Sequence, residues 1–163
     1  MIRRQFGAIA LAAATATILA ACAREPVQPT IREVINQNAS FSTLAQALDV
    51  AGVQALDETG PFTVFAPRNS AFAALPEGTV DTLLLPENRD QLTQILQLHV
   101  VPGTYTAADL VGRTSDLSTA SGLNIIVDGF DGVNVGGVNV VQPDVQASNG
   151  IIHVVDGVIL PPS

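Results

Sequence analysis

The stretch Pro61–Pro76, PFTVFAPRNSAFAALP, decides the fold of this chain. Its first half has strand character, because Phe62–Phe65 combines aromatic and β-branched side chains that suit a pleated surface. The pair Ala66-Pro67 is expected to end that strand, since proline has no N–H to give to the ladder. Asn69 is then in place to cap a short helix whose apolar face includes Phe72. The stretch predicts a strand that runs at once into a helical turn.

The first 22 residues are interpreted as an export signal. Arg3 and Arg4 give a basic start, and Phe6–Ala21 is an almost unbroken apolar run of 16 residues, which is short for a membrane-spanning helix of about 20 residues. The run ends in Leu-Ala-Ala-Cys, which resembles the cleavage motif of bacterial lipoproteins. We therefore expect Cys22 to be lipidated and to become the mature N-terminus. The alternative is an ordinary signal peptide with an accidental cysteine.

The cysteine content also bears on the domain and its location. Cys22 is the only cysteine, so the domain has no internal disulfide and must be held by its own core. A lipid anchor predicts a cell-envelope protein, on the outer membrane or the cell surface, with secretion as the alternative. Residues 23–29 contain two prolines and no apolar period, which predicts a tether. Residues 30–163 are predicted to form a single domain.

The charge of the chain argues against nucleic acid as a partner. There is no lysine, and without the predicted signal the chain has 5 arginines against 15 acidic residues, a formal net charge of −10. Such a field repels phosphate backbones. The excess of acidic residues is explained more simply as a means of keeping an exported protein soluble.

Helical signals dominate the first half of the domain. Thr30 and Glu33 form a capping box, Ser40 can cap a second helix, and Gly52 is placed to end it. A further helix is predicted over 87–98, with acidic residues in its first turn, where the helix dipole favours them.

Strand signals dominate the second half. Strict alternation around Gly136-Gly137 predicts a tight hairpin. The other predicted strands are short β-rich runs at Val100-Val101, from Leu117, and at Leu123–Val127, Ile151–Val155 and Val158–Leu160. Helices first and strands later predict an α+β fold.

Three strings in this order resemble the fasciclin-domain family. They are the opening stretch, Leu98–Gly103 and Asn149–Pro161, and together they extend over most of the predicted domain. The resemblance implies a twisted β-wedge of two small sheets flanked by a bundle of short helices, in a single-domain bacterial lipoprotein-like member. It also implies a set of structural motif residues: Phe65, Pro67, Asn69, Phe72, His99, Asn149, Gly150, His153 and Asp156.

One position departs from the family pattern. The central motif has a tyrosine before its histidine, and that tyrosine is linked in animal members to integrin binding. This chain has Leu98 there and keeps His99. Integrin-type recognition is therefore not carried over, and Leu98 and His99 stay only as candidates for binding, with the binding residues otherwise unknown.

The residues that could perform chemistry favour structural interpretations. His99 and His153 are the only histidines, and each has apolar neighbours, so we expect core histidines with hydrogen-bonded rings rather than metal ligands. His153 and Asp156 have the spacing of an oriented base, but no serine lies in a nucleophile elbow. Asp128 and Asp131 could suggest calcium, but turn composition explains them better. No catalytic residue, metal or cofactor is predicted.

Three functions remain open at this point. The first is a non-catalytic, surface-anchored module, expected to be monomeric, that binds a protein or polysaccharide at the cell surface or in the matrix, as the family resemblance implies. The second is a periplasmic enzyme or small-ligand carrier, which needs a pocket with converging polar groups. The third is a structural envelope protein. An exposed apolar patch with a polar rim would favour the first or the third.

Overall fold

Six short α-helices and seven β-strands build the part of the chain that the computed structural model describes, residues 27–53, 56 and 60–161. The helices are α1 Ile31–Gln37, α2 Ser42–Ala51, α3 Asn69–Ala73, α4 Thr79–Leu83, α5 Arg89–Leu98 and α6 Ala107–Leu110. The strands are β1 Phe62–Pro67, β2 Val100–Pro102, β3 Thr114–Ser118, β4 Asn124–Asp128, β5 Asn134–Val135, β6 Val138–Ala147 and β7 Gly150–Val155. Two 3-10 turns, Ala39–Phe41 and Pro86–Asn88, precede α2 and α5. No helix within these residues is long and apolar enough to cross a membrane. The predicted signal, with Cys22, and most of the tether lie outside the described residues.

The seven strands are hydrogen-bonded in the order β2-β1-β7-β6-β5-β4-β3. Strands β1 and β7 run parallel, and the other neighbours are antiparallel. Two small sheets meet at β6, whose start pairs with β5 and whose remainder pairs with β7 across two register shifts. Such bulges bend a strand and increase its twist. The predicted α+β class and the two-sheet wedge with short helices are confirmed.

Two hydrophobic clusters lie on opposite sides of the central strands. Consecutive side chains of a strand point to opposite faces, so Val64 and Ile152 face the helical cluster with α1, α2 and α5. Phe65 and Val155 face the second cluster, which β3, β4 and β5 complete. The pair β1–β7 therefore belongs to both cores.

Several predicted helix ends are confirmed. Thr30 caps α1 in a capping box with Glu33, as predicted. Gly52 ends α2 in the left-handed region with φ of 65°, and its N–H donates to the Leu48 carbonyl. These features depend on local sequence alone, which is why they could be predicted.

The predicted caps at Ser40 and Asn69 were wrong. Ser40 lies inside a 3-10 turn that is capped by Asn38, and α2 begins without a side-chain cap. Asn69 is the first residue of α3, and its side chain bonds a different segment instead. Its Oδ1 accepts from the Thr43 N–H at 3.1 Å and its Nδ2 donates to the Ala39 carbonyl at 2.8 Å. A long-range contact therefore replaces the local cap.

Strand ends also differ from the prediction. Strand β1 continues to Pro67. Proline is tolerated there because β2 pairs only with residues 62–64, so no strand on that side needs an N–H from Pro67. Strand β6 extends well past the predicted hairpin. The predicted strand at Val158–Leu160 is absent, since the Ile159 N–H donates to a histidine ring instead of a neighbouring strand.

Candidate functional site

His99 follows α5 and links two distant backbone segments. Its Nδ1–H donates to the Ile95 carbonyl at 2.7 Å, and its Nε2 accepts from the Ile159 N–H at 3.0 Å. The side chain is buried, and that burial lowers its pKa to about 4, against a smaller opposite effect of the Ile95 hydrogen bond. The ring is therefore neutral at pH 7, with both nitrogens in use.

His153 lies in the middle of β7 with an equally complete set of partners. Its Nε2–H donates to the Tyr105 carbonyl at 2.8 Å, and its Nδ1 accepts from the Asp144 N–H at 3.3 Å. Its ring stacks on Phe65 with centroids 5.5 Å apart. Burial lowers the pKa of His153, and the Tyr105 hydrogen bond and the Asp144 carboxylate partly offset this. Neither histidine keeps a ring nitrogen free for a metal ion or for proton transfer.

We expect His153→Ala to lower the free energy of unfolding by about 1–3 kcal/mol, since it leaves the partly buried Tyr105 carbonyl without its donor. Urea unfolding of wild type and variant measures the change. The substitution removes the contacts to both Phe65 and Tyr105. An unchanged unfolding midpoint accompanied by loss of a biological activity would show that the role is functional.

The other motif residues also connect segments of the fold. Asn149 accepts from the Ile31 N–H at 2.9 Å and donates to the Leu56 carbonyl at 2.8 Å, which ties α1 to β7. The Asp156 Oδ1 accepts from the Asn139 N–H at 3.1 Å, extending the contact between β6 and β7. Asp156 is thus engaged with backbone and does not orient His153.

Leu98 and His99, the binding candidates of the central motif, are both buried, with 2% and 3% of their surface exposed. Leu98 packs in the second cluster with Phe65. In this conformation neither side chain offers a surface to a partner. Phe72 is partly buried against the helical cluster.

The acidic residues singled out in the sequence do not converge. The Asp128 Oδ1 accepts from the Phe130 N–H at 3.0 Å, as turn residues do. Within the described ranges, no group of three or more His, Cys, Asp or Glu residues is arranged to hold a metal ion.

One open groove of about 640 Å³ lies where β1 and β7 begin. Three of its polar side chains, Thr104, Gln146 and Ser148, make no hydrogen bond with another described residue and are exposed. Thr30 and Thr106 also line it, but their hydroxyls are engaged in capping boxes. No ionisable side chain is found among the described lining residues, so the groove suits a neutral hydrogen-bonding group and provides no acid or base.

A group of exposed apolar side chains lies on β4 and in the two hydrogen-bonded loops at the end of that strand. We call it the apolar tip and define it by Val111, Ile126 and Phe130, whose exposed fractions are 56%, 62% and 69%. The loops that carry Val111 and Phe130 are joined by hydrogen bonds from the Gly112 N–H to the Gly129 carbonyl and from the Gly129 N–H to the Arg113 carbonyl.

Charged residues lie next to the apolar residues of the tip. Asp116 lies opposite Ile126 in the β3–β4 pairing, and Asp128 lies two residues farther along the same face. Asp131 follows Phe130 directly, and Arg113 is the basic residue of the adjoining loop. The exposed apolar residues of the tip therefore have mainly acidic neighbours.

Sequence reasoning missed this tip, although one signal for it exists. The β4 sequence is Asn-Ile-Ile-Val-Asp. Because consecutive side chains of a strand point to opposite faces, Ile125 and Ile126 cannot share one core, and Ile126 is the one that faces outward.

Comparison with known proteins gives a consistent result. The sequence model described as the fasciclin domain matches residues 39–161. Protein sll1483 of Synechocystis sp. is 53% identical over 135 residues, which are 82% of this chain and 74% of that protein. Immunogenic protein MPB70 of Mycobacterium bovis is 35% identical over 143 residues, with 83% of this chain and 71% of that protein covered.

A solved structure shares the fold. It is a FAS1 domain pair from the insect cell adhesion molecule fasciclin I, with a TM-score of 0.72 and 24% identity. The match covers 82% of this chain and 51% of that chain, so this chain spans about half of its length.

Proposed function

The chain belongs to the fasciclin-domain family, and from that premise we propose that it is a non-catalytic adhesion module, anchored at the cell surface through Cys22, that binds a protein through the apolar tip. Domains of this family are generally non-enzymatic modules of adhesion-related proteins. The observation that carries the proposal is the exposure of the three large apolar side chains of the tip, because exposed apolar groups bordered by polar residues mark sites of macromolecular contact.

The chemistry of the tip selects the kind of partner. Phe130 and Ile126 supply aromatic and aliphatic area for the desolvated centre of an interface. Asp116, Asp128 and Asp131 would face the rim of the partner, where complementary charge is basic. A protein surface with apolar residues ringed by lysine or arginine fits this arrangement better than a neutral polysaccharide.

Attachment assays test the proposal in a strain that lacks the gene. We expect the deletion to reduce attachment between cells, and the wild-type gene to restore it. The double variant I126S/F130S should fail to restore it, although both residues are exposed and their loss should change stability by only about 0.5 kcal/mol. Cys22→Ser should also fail, because the domain then lacks the lipid chains that hold it on the membrane.

A matched control removes exposed apolar surface elsewhere. Leu85 is 46% exposed and lies between α4 and α5, away from the tip in the sequence, so Leu85→Ser should restore attachment fully. Protease treatment of the acceptor cells should abolish attachment. If periodate abolishes it and protease does not, the partner is a polysaccharide and the proposed protein partner is wrong. Normal attachment in the deletion strain would overturn the adhesion function.

The groove at the start of β1 and β7 favours a second candidate function, that of a small-ligand carrier. Its volume of about 640 Å³ falls within the range of small-molecule sites. Since its free polar groups are hydroxyls and an amide, the ligand would be neutral and rich in hydrogen-bonding groups. If the double variant I126S/F130S restores attachment and Ser148→Trp does not, the groove rather than the tip is the binding site.

A further inference from the structure

Arg68 has an unusual environment for an arginine in an acidic protein. Its Nε is buried and has no hydrogen-bond partner. No ion pair or side-chain hydrogen bond joins its guanidinium to any described residue. A buried Nε–H without an acceptor is costly, because buried N–H groups that lose water normally find an acceptor.

Arg68 is half-buried and borders a concave surface rather than the core. Arg68 lines a cavity of about 360 Å³ together with Ala39, Ser40, Asn69 and Ser70. The hydroxyls of Ser40 and Ser70 make no hydrogen bond with another described residue, and no acidic residue is among the described lining residues. The cavity therefore offers a positive charge and two hydroxyl donors, and none of its described lining residues carries a negative charge.

The fold holds these groups in fixed positions. The Arg68 N–H donates to the Val155 carbonyl at 3.3 Å, at the end of the β1–β7 pairing, and the Arg68 carbonyl accepts from the Ala71 N–H at 2.8 Å. Asn69 donates to the Ala39 carbonyl at 2.8 Å and to the Ser42 Oγ at 3.0 Å. These bonds keep the Ala39–Phe41 turn, with Ser40, beside Arg68, so the cavity does not depend on a loose loop.

We propose that this cavity, lined by Arg68, Ser40 and Ser70, binds a single oxyanion group: a carboxylate, phosphate or sulfate. A guanidinium presents its donors in a planar fork that matches the paired oxygens of these groups, and serine hydroxyls supply further donors. The net charge of −10 without the predicted signal repels polyanions, which restricts the ligand to one isolated anionic group. The inference is independent of the apolar tip.

Titration of the ¹⁵N-labelled full chain in neutral detergent micelles tests the site. Sodium acetate, phosphate and sulfate are exchanged for chloride at constant ionic strength and pH 7.5, and the amide resonances of Ser40 and Ser70 are followed. We expect saturable shifts with at least one anion, and the three salts identify which oxyanion binds. Shifts that stay linear with concentration for all three salts would overturn the proposal.

Variants separate a specific site from a general charge effect. Arg68→Gln should weaken binding at least about tenfold, because a charge-assisted hydrogen bond is lost. Arg89→Gln makes the same change in charge at an exposed position outside the cavity and should bind as wild type does. Equal weakening in both variants would show only nonspecific attraction and would overturn the site.

A third variant covers the case in which Arg68→Gln does not fold. Ser70→Ala keeps the guanidinium and changes one exposed hydroxyl, so its amide spectrum should remain that of the folded protein. It should still weaken binding of the same anion, by about threefold or more, as expected for the loss of one hydrogen bond. Unchanged affinity in Ser70→Ala would contradict the proposed geometry.

Discussion

Gly150→Ala is expected to lower the free energy of unfolding by about 4 kcal/mol, or to prevent folding altogether. Gly150 starts β7 opposite Phe62 in the parallel pairing with β1. A Cβ at this position would overlap the backbone carbonyl, and also the backbone nitrogen, of Phe62. Backbone atoms cannot move aside by changing rotamer, so the two strands would have to separate. Both hydrophobic clusters include residues of β1 and β7, and both would be disturbed.

Urea unfolding of Gly150→Ala beside Gly52→Ala measures this effect. Gly52 has a φ of +65°, and an added Cβ there would meet no atom within 4 Å. Gly52→Ala therefore suffers only the strain of a left-handed alanine, about 1–2 kcal/mol. Comparable losses in the two variants would show that the close approach of Gly150 to Phe62 is not what requires glycine.

Features that depend on a few neighbouring residues could be predicted from the sequence. The capping box of Thr30 and Glu33 needs only two residues three positions apart. The hairpin at Gly136-Gly137 needs only two residues with positive φ, and these glycines have 58° and 89°. Family resemblance supplied the rest of the architecture, including the two sheets, which no local pattern specifies.

Features that depend on distant partners could not be predicted. Asn69 has the residue type of a helix cap, but the Thr43 N–H and the Ala39 carbonyl, about 26 to 30 residues earlier in the chain, offer it better partners. Val158–Leu160 has strand composition, but the free acceptor on His99 draws the Ile159 N–H away from any ladder. In both places a hydrogen bond to a distant segment of the chain outweighed local propensity.

The candidate sites divide in the same way, into features that neighbouring residues determine and features that depend on distant residues. The apolar neighbours of His99 and His153 in the sequence were enough to predict that both rings are buried and hydrogen-bonded. The cavity at Arg68 could not be predicted in this way, because Ser40 and Ser70 lie 30 residues apart and meet only through the bonds of Asn69. The charge pattern offers one signal for it, because Arg68 is one of five arginines outside the predicted signal and lies directly after β1 with no acidic residue near it in the sequence.

Acid should destabilise this protein mainly between pH 6.5 and pH 4, through His99. Burial lowers the pKa of His99 from 6.5 to about 4 in the folded state. Between these values the unfolded chain binds the proton and the folded chain does not, so unfolding is favoured as the pH falls. The stabilisation is complete above pH 6.5 and is lost progressively towards pH 4. The difference in pKa corresponds to roughly 3 kcal/mol.

The structural reason lies in the two partners of the ring. Protonation would place a hydrogen on Nε2, the atom that accepts from the Ile159 N–H. Two donors would then face each other in a site that excludes water, and the segment after β7 would be released. His153 contributes in the same direction, since burial also lowers its pKa and its Nδ1 is an acceptor.

Unfolding free energies from urea titrations at several pH values test this prediction. The expected slope between pH 6 and pH 4.5 approaches about 1.4 kcal/mol per pH unit for each histidine that remains neutral in the fold. His153→Ala should keep the part of the slope that belongs to His99, whereas His99→Leu should lose it despite its lower overall stability. A stability that is constant from pH 7 to pH 4.5 would contradict the lowered pKa, and so would His99 ring resonances that titrate near pH 6.5.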